Sequence, residues 1–159
     1  MTHRTPSALA RQHRLAALFA VMLTALAIPS HAFQLITEQE AAASRAAPEP
    51  MVPRNVPAPD APRINLLAPN LTGAVPSPTR IQVQFQAAAP AAIKPDSFRV
   101  RYGALRLDIT SRITGAAKVT AAGIDVAEAA LPKGSHRLLI EIQDSAGRTA
   151  ERQVQFVVE

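Results

Sequence analysis

The chain has 159 residues, a formal net charge of +5, 14 prolines and no cysteine. The lack of cysteine excludes disulfide bonds and thiolate metal sites. Only 4% of the residues are aromatic, so a core must be built from Val, Ile, Leu, Ala and a few Phe. Three arginines lie in a segment predicted to be removed, which leaves a charge of +2. That charge, with no basic run, does not indicate nucleic-acid binding.

Residues 1–32 have the three parts of a secretory signal peptide. Basic residues come first, then the apolar run Leu15–Ile28, and then Ser-His-Ala at 30–32. Small residues at the −3 and −1 positions predict cleavage before Phe33. The apolar run is shorter than the roughly 20 residues that span a bilayer. The sequence therefore predicts a periplasmic or secreted protein, and the alternative is an uncleaved membrane anchor.

Residues 33–62 are predicted to be a short Ala-rich leader followed by a Pro-rich linker. Thr37 and Glu40 have the spacing of a capping box, which predicts a helix within Phe33–Ala47. A lone helix of this length is marginal in water, so we expect a frayed leader. The alternative function for the helix is a docking peptide for a partner.

Pro48–Pro62 contains six prolines and almost no bulky apolar residue. Such a composition favours extended polyproline II structure and a semi-rigid spacer. We therefore expect this segment to hold the domain away from whatever the N-terminal segment contacts. The alternative is a ligand for the aromatic groove of another protein.

From Arg63 onward the pattern becomes that of an all-β domain. Short apolar stretches are separated by Pro and Gly, and strands are predicted at Ile64–Leu67 and Arg80–Gln86. The second of these strands alternates strictly, which indicates a strand buried on one face. Residues 111–130 are ambiguous. Lys118–Ala121 is a candidate strand, and Ile124–Ala130 could form either a helical turn or a strand.

Ser97–Tyr102 and Leu105–Thr110 are predicted to form a hairpin. A two-residue turn at 103–104 pairs residue 102 with 105, 100 with 107 and 98 with 109, so apolar residues face apolar residues. The same register places Arg99 opposite Asp108 and Arg101 opposite Arg106. Like charges in that arrangement are mildly destabilising.

The C-terminal hairpin joins His136–Gln143 to Thr149–Glu159 through a loop at 144–148. This register pairs Leu138 with Val154 and His136 with Phe156, and it turns Arg152 toward the core opposite Ile140. We expect either a bulge that reorients Arg152 or a guanidinium that reaches the edge of the sheet.

The C-terminal hairpin resembles that of bacterial immunoglobulin-like and fibronectin-III-like domains of exported proteins. The residues that carry the resemblance are Leu131, Gly134, His136, Leu138, Ile140, Asp144, Gly147, Val154, Phe156 and Val158. The resemblance implies an immunoglobulin-like sandwich of about seven strands over residues 63–159. It implies little about function, because function depends on sites rather than on the fold.

No residue of the sequence favours catalysis, a cofactor or a metal. Once residues 1–32 are removed, His136 is the only histidine. Its position in the alternating pattern of the strand places it on the inward face, which predicts a packed ring that bonds the neighbouring turn. Ser135 points to the opposite face of the strand, so the two cannot form a dyad. Calcium binding by Asp96, Asp108, Asp125 or Asp144 is the alternative for the acidic residues, but they form no Asp-x-Asp-x-Asp loop.

The predicted functional surface comprises Arg99, Arg101 and Arg106, an anion-binding or partner-binding patch. Solvation or a nearby acid is the competing explanation for these charges. The sequence thus predicts a non-enzymatic exported binding or structural module of the bacterial cell envelope, with a protein or glycan partner. The alternative is a small carbohydrate-binding or anionic-glycan-binding accessory protein. Membrane association is expected only if the signal segment is not cleaved.

Overall fold

Two four-stranded sheets enclose one apolar core, an arrangement compatible with the predicted β-sandwich. The computed structural model describes residues 32–48 and 58–159, which lie in a unit running from His31 to Glu159. The predicted signal sequence up to residue 31 and residues 49–57 of the predicted linker lie outside the described residues, and so remain predictions.

The elements follow in chain order. They are β1 (Phe33–Gln34), α1 (Glu38–Ala46), β2 (Arg63–Ala68), β3 (Thr79–Gln86), β4 (Ile93–Tyr102), β5 (Leu107–Asp108), α2 (Thr110–Ala116), β6 (Gly123–Ala130), β7 (Gly134–Asp144) and β8 (Thr149–Val158). The first sheet has the strand order β1-β6-β3-β2, and the second has the order β5-β4-β7-β8. All pairings between neighbouring strands are antiparallel except that of β1 with β6.

Strict alternation in the sequence predicted the buried faces of the central strands. Ile81, Val83 and Phe85 of β3 are all buried, and the ring of Phe85 packs on that of Phe98 of β4. Every second side chain of β3 and of the C-terminal part of β4 therefore contributes to the core between the sheets.

The predicted register of the C-terminal hairpin is confirmed. Leu138 pairs with Val154, His136 with Phe156 and Ile140 with Arg152, in a ladder without a bulge. Of the two explanations for Arg152, the second is therefore correct. Its Nη1 donates to the carbonyl oxygen of Ile64 at 2.7 Å, so the side chain reaches the edge of β2 in the other sheet.

The predicted hairpin at 97–110 is wrong in its turn and register. The chain turns over residues 103–106, where the N–H of Arg106 donates to the Gly103 carbonyl at 3.3 Å. Tyr102 then pairs with Leu107 and Arg101 with Asp108. Leu105 is 62% exposed instead of buried, because it lies in this turn and not in the strand β5.

The ambiguous region 111–130 contains both a helix and a strand. Residues up to Ala116 continue α2, and Ile124–Ala130 belong to β6, so the strand interpretation of that stretch is correct. The candidate strand at Lys118–Ala121 is wrong, since it contributes one bridge between Thr120 and Gly123.

The expectation of a frayed leader is wrong for the described residues 33–46. The capping box forms, with Thr37 and Glu40 each bonding the other's backbone N–H. The N–H of Leu35 donates to the Ala130 carbonyl at 3.0 Å, and the side chains of Leu35 and Ile36 are fully buried. Burial of two large aliphatic side chains supplies the stability that the isolated helix lacks.

Both ends of the Pro-rich segment therefore belong to the same unit. Residues 33–46 pack on the sheets before it, and Arg63 begins β2 after it. The helix α1 and the two sheets thus lie in one folded unit, and the spacer function of the Pro-rich segment stays a prediction.

An ion pair between Glu40 and Arg112 fastens α1 to α2. The guanidinium donates to both carboxylate oxygens, at 2.6 and 2.8 Å, and also to the carbonyl of Leu35 at 3.0 Å. The hydrogen bonds from Arg112, followed by the one from the backbone of Thr37, lower the pKa of Glu40 from 4.5 to about 2. This carboxylate is therefore a stabilising group in the folded protein.

We expect Glu40→Gln to lower the free energy of unfolding at pH 7 by about 2 kcal/mol, allowing for the partial exposure of both side chains. Because the pKa is lower in the folded state, this contribution is complete above pH 4.5 and is lost as the pH falls toward 2. Urea unfolding between these pH values measures it. Glu38→Gln, in the same helical turn, is the charge-matched control. An identical pH dependence for Glu40→Gln and the wild type would contradict this role.

Candidate functional site

A groove of about 710 Å³ opens where α1 ends, β7 begins and β8 finishes. Its lining comes from the last turn of α1, the loop 71–74, the turn at Ala104, residues 135–137 of β7 and residues 155–157 of β8. We call this cavity the α1 groove. It is a candidate site because five separate parts of the chain converge on one open concavity.

The β7–β8 register determines which side chains face out of the second sheet at this end. Ser135 lies opposite Val157, and Arg137 lies opposite Gln155. Because side chains alternate along a strand, these four share the outer face, whereas His136 and Phe156 point to the core. The sheet thus offers the groove two polar groups, one cation and one aliphatic side chain.

The helix α1 forms one wall of the groove through Ser44 and Arg45. The N–H of Ala104 donates to Ser44 Oγ at 3.0 Å, and a Cβ on Gly103 would lie 1.9 Å from the same oxygen. Glycine at 103 therefore lets the helix approach the turn. The guanidinium of Arg45 lies beside Gly134, and it makes no hydrogen bond or ion pair in the part of the chain that the structure describes.

The base of the groove contains a buried hydrogen-bonded pair. Tyr102 Oη and His136 Nδ1 are 2.9 Å apart, and His136 Nε2 is 2.7 Å from the Pro132 carbonyl, to which it donates. Burial lowers the pKa of His136, so the neutral ring accepts from the tyrosine hydroxyl. The prediction that His136 is a packed residue bonded to the neighbouring turn is confirmed.

The predicted arginine patch has a different environment from the one expected. Arg101 lies opposite Asp108 rather than Arg106, and its Nη1 bonds Glu141 Oε1 at 2.7 Å. A neighbouring acid thus balances this arginine. Arg106 lies in the turn with φ 50°. The role of these three arginines in binding an anion or a partner stays a prediction.

Arg99 lines a second groove of about 840 Å³, between β4 and α2. Its Nη1 donates to the carbonyls of Asp96 and Phe98, at 3.0 and 2.7 Å. Lys118, Asp96 and Asp108 also line this cavity, so its described lining has two cations and two anions. Such a balance gives no preference for an anionic ligand.

Three of the four candidate calcium ligands bond to protein groups. Asp144 is fully buried and accepts from the backbone of Ala146 and Arg148 and from Arg148 Nε. Asp108 accepts from the Thr110 N–H, and Asp125 pairs with Arg80. No group of three or more His, Asp or Glu side chains in the described residues is placed to hold a metal ion.

No protein-family model, curated protein or solved structure matches this chain. Within the described residues, no helix is both long enough and apolar enough to cross a membrane. The α1 groove is therefore interpreted from its own geometry.

Sequence reasoning missed the residues that α1 and the loop 71–74 contribute to the groove. Ser44 and Arg45 lie in a segment for which the sequence predicts fraying, and Thr72 and Gly73 lie between strands. The capping box at Thr37 and Glu40 was the one available signal, because it predicted the helix. It did not indicate where that helix would pack.

Proposed function

We propose that this protein is a non-enzymatic exported module of the bacterial cell envelope that engages a protein or glycan partner through the α1 groove. One observation carries the proposal: an open concavity combines Arg45, which has no partner among the described residues, with the exposed side chains of Leu71 and Val157. A rim that is partly aliphatic and partly charged suits the recognition of another molecule.

The strand order supports an immunoglobulin-like type for the two sheets. The immunoglobulin strand labels A, B, C, E, F and G can be assigned in chain order to β2, β3, β4, β6, β7 and β8. With these labels, A, B and E share one sheet, and C, F and G share the other, as in an immunoglobulin domain. The strand β5 extends the second sheet beside β4, at the place of strand C′. The place of strand D, beside E, is taken by the short strand β1, which comes from the N-terminal segment and pairs with β6 in parallel.

A binding role, rather than catalysis, is supported by the groups inside the groove. Tyr102 and His136 bond to each other and are buried beneath it. Ser44 accepts a backbone N–H, and Arg45 beside it is a guanidinium, which cannot act as a general base. A nucleophile needs a base within hydrogen-bond reach, and the described lining offers no such pair.

An anionic-glycan-binding accessory role is the second candidate. Arg45 beside the hydroxyls of Ser44 and Ser135 favours it, since a guanidinium and hydroxyls can bind an acidic sugar. The aromatic side chains disfavour it. Tyr102 is 2% exposed and Phe156 is 8% exposed, so neither offers a sugar the face of its ring.

The proposed function predicts that Gly73→Trp weakens partner capture. A Cβ at Gly73 meets nothing within 4 Å, so the backbone there has room for a side chain, and the bulky indole should obstruct the groove that residue 73 lines. We expect cross-linking in envelope extracts of the producing cells, quantified by mass spectrometry, to recover several-fold less partner. Gly115→Trp is the matched control, because its surroundings are equally open and it lies outside this groove. Equal recovery with both variants and the wild type would refute the proposed function.

A further inference from the structure

The α1 groove joins a cation and hydroxyl donors to an aliphatic surface. Arg45 has no partner among the described residues, and Ser44, the preceding residue, uses its oxygen to accept the Ala104 N–H. The hydroxyl hydrogen of Ser44 is therefore left to donate. A carboxylate at this wall can receive both the guanidinium and the hydroxyl, which are the donors that such a group requires.

The aliphatic part of the groove consists of Leu71 and Val157. These side chains are 37% and 50% exposed, and they are two of the five large hydrophobic residues exposed in the described structure. Both line the α1 groove. Contact with an aliphatic ligand group would remove this area from water, which is favourable.

The edge of β8 offers backbone hydrogen bonds at the same place. The Val157 carbonyl accepts from the Val75 N–H at 2.8 Å, and the Glu159 N–H donates to the Val75 carbonyl at 3.3 Å. Residues 157 and 159 thus direct their backbone groups away from β7. Backbone groups alternate in direction along a strand, so the N–H and carbonyl of Gln155 also point away from β7. These two groups have no backbone partner among the described residues.

We propose that the α1 groove binds an extended acidic peptide segment of a partner protein. A carboxylate of the peptide pairs with Arg45 and Ser44, aliphatic side chains pack on Leu71 and Val157, and the peptide backbone bonds Gln155 at the edge of β8. Strand addition of this kind supplies affinity through the main chain and specificity through alternate side chains. The inference rests on the proposed function and names its ligand class.

Two of these features, the aliphatic side chains and the strand edge, favour a peptide over a glycan. The groove offers aliphatic side chains rather than an exposed aromatic face, and it offers unpaired main-chain groups on a strand edge. A sugar ring uses an aromatic platform, whereas an extended peptide uses a strand edge.

The test uses the protein purified from the cells that produce it and random-sequence peptides displayed on phage. We expect selection to enrich peptides that combine Asp or Glu with Val, Ile or Leu. The affinity of an enriched peptide should fall about tenfold in Arg45→Gln, because a charge-assisted hydrogen bond is lost. Arg45→Lys should retain part of the affinity. Arg63→Gln is the charge-matched control on the exposed start of β2 and should bind as the wild type does.

Nuclear magnetic resonance then locates the peptide on the protein. Titration should shift the amide signals of Ser44, Gly73 and Gln155. Enrichment of peptides without acidic residues, unchanged affinity in Arg45→Gln, or shifts confined to the groove around Arg99 would each overturn the inference. So would tighter binding of an alginate oligosaccharide that depends on Arg45. If the inference fails while Gly73→Trp still weakens partner capture, the proposed function stands with a different ligand class.

Discussion

Replacing Ile36 by Ala is expected to lower the free energy of unfolding by about 2–5 kcal/mol, the usual cost of truncating a fully buried aliphatic side chain. Ile36 has no exposed surface, and it follows Leu35, whose N–H bonds the Ala130 carbonyl of β6. The segment before the Pro-rich stretch therefore contributes to the same core as the two sheets. Urea unfolding of the purified protein measures the effect.

Leu67→Ala is the control for the effect of Ile36→Ala. Leu67 is also a large aliphatic residue, but it lies on β2 with 55% of its surface exposed, so its truncation should change stability by about 0.5 kcal/mol or less. If residues 33–46 fray in solution, both substitutions should change the free energy of unfolding by the same small amount. That result would contradict the docking of residues 33–46 on the sheets.

The parts of the fold that alternation predicted are those in which one strand face is buried over several residues. In β7 and β8, a one-residue slip would turn His136, Leu138 and Ile140 to the solvent, so the pattern allowed one register. The same alternation places Arg152 on the inward face of β8. Its contact with the Ile64 carbonyl depends on β2, which is distant in sequence, and so the pattern alone could not choose between a bulge and an edge contact.

The hairpin at 103–106 shows where alternation is insufficient. Leu105 and Leu107 fitted an inward pattern, yet β5 is an edge strand of two residues and both leucines are exposed. Ile109 is buried, but it precedes α2 rather than continuing a strand. Apolar spacing in so short a segment does not distinguish a strand from a turn followed by a helix.

The candidate site was less predictable than the fold because it is assembled from distant segments. Arg101 was recognised in the sequence, but its partner Glu141 is on a strand 40 positions later. Arg45 carried no signal at all. Its place in the groove depends on the packing of α1, which Glu40, Arg112 and Gly103 determine through contacts that span more than 50 positions in sequence.

Replacing Gly123 by Ala should cost about 3 kcal/mol or more, because it combines backbone strain with a steric clash. Gly123 has φ +146°, and a Cβ there would lie 2.0 Å from the carbonyl oxygen of Val83 in β3. Relief of that contact requires β6 to move away from β3, which disturbs the pairing of Gln84 with Gly123.

Gly115→Ala is expected to have the opposite effect on stability. It lies in α2 with open space around it, and alanine should stabilise that helix by about 0.5–1 kcal/mol. Thermal unfolding of the two variants should therefore shift in opposite directions, and a shared direction would show that β6 does not approach β3 as closely as this geometry requires.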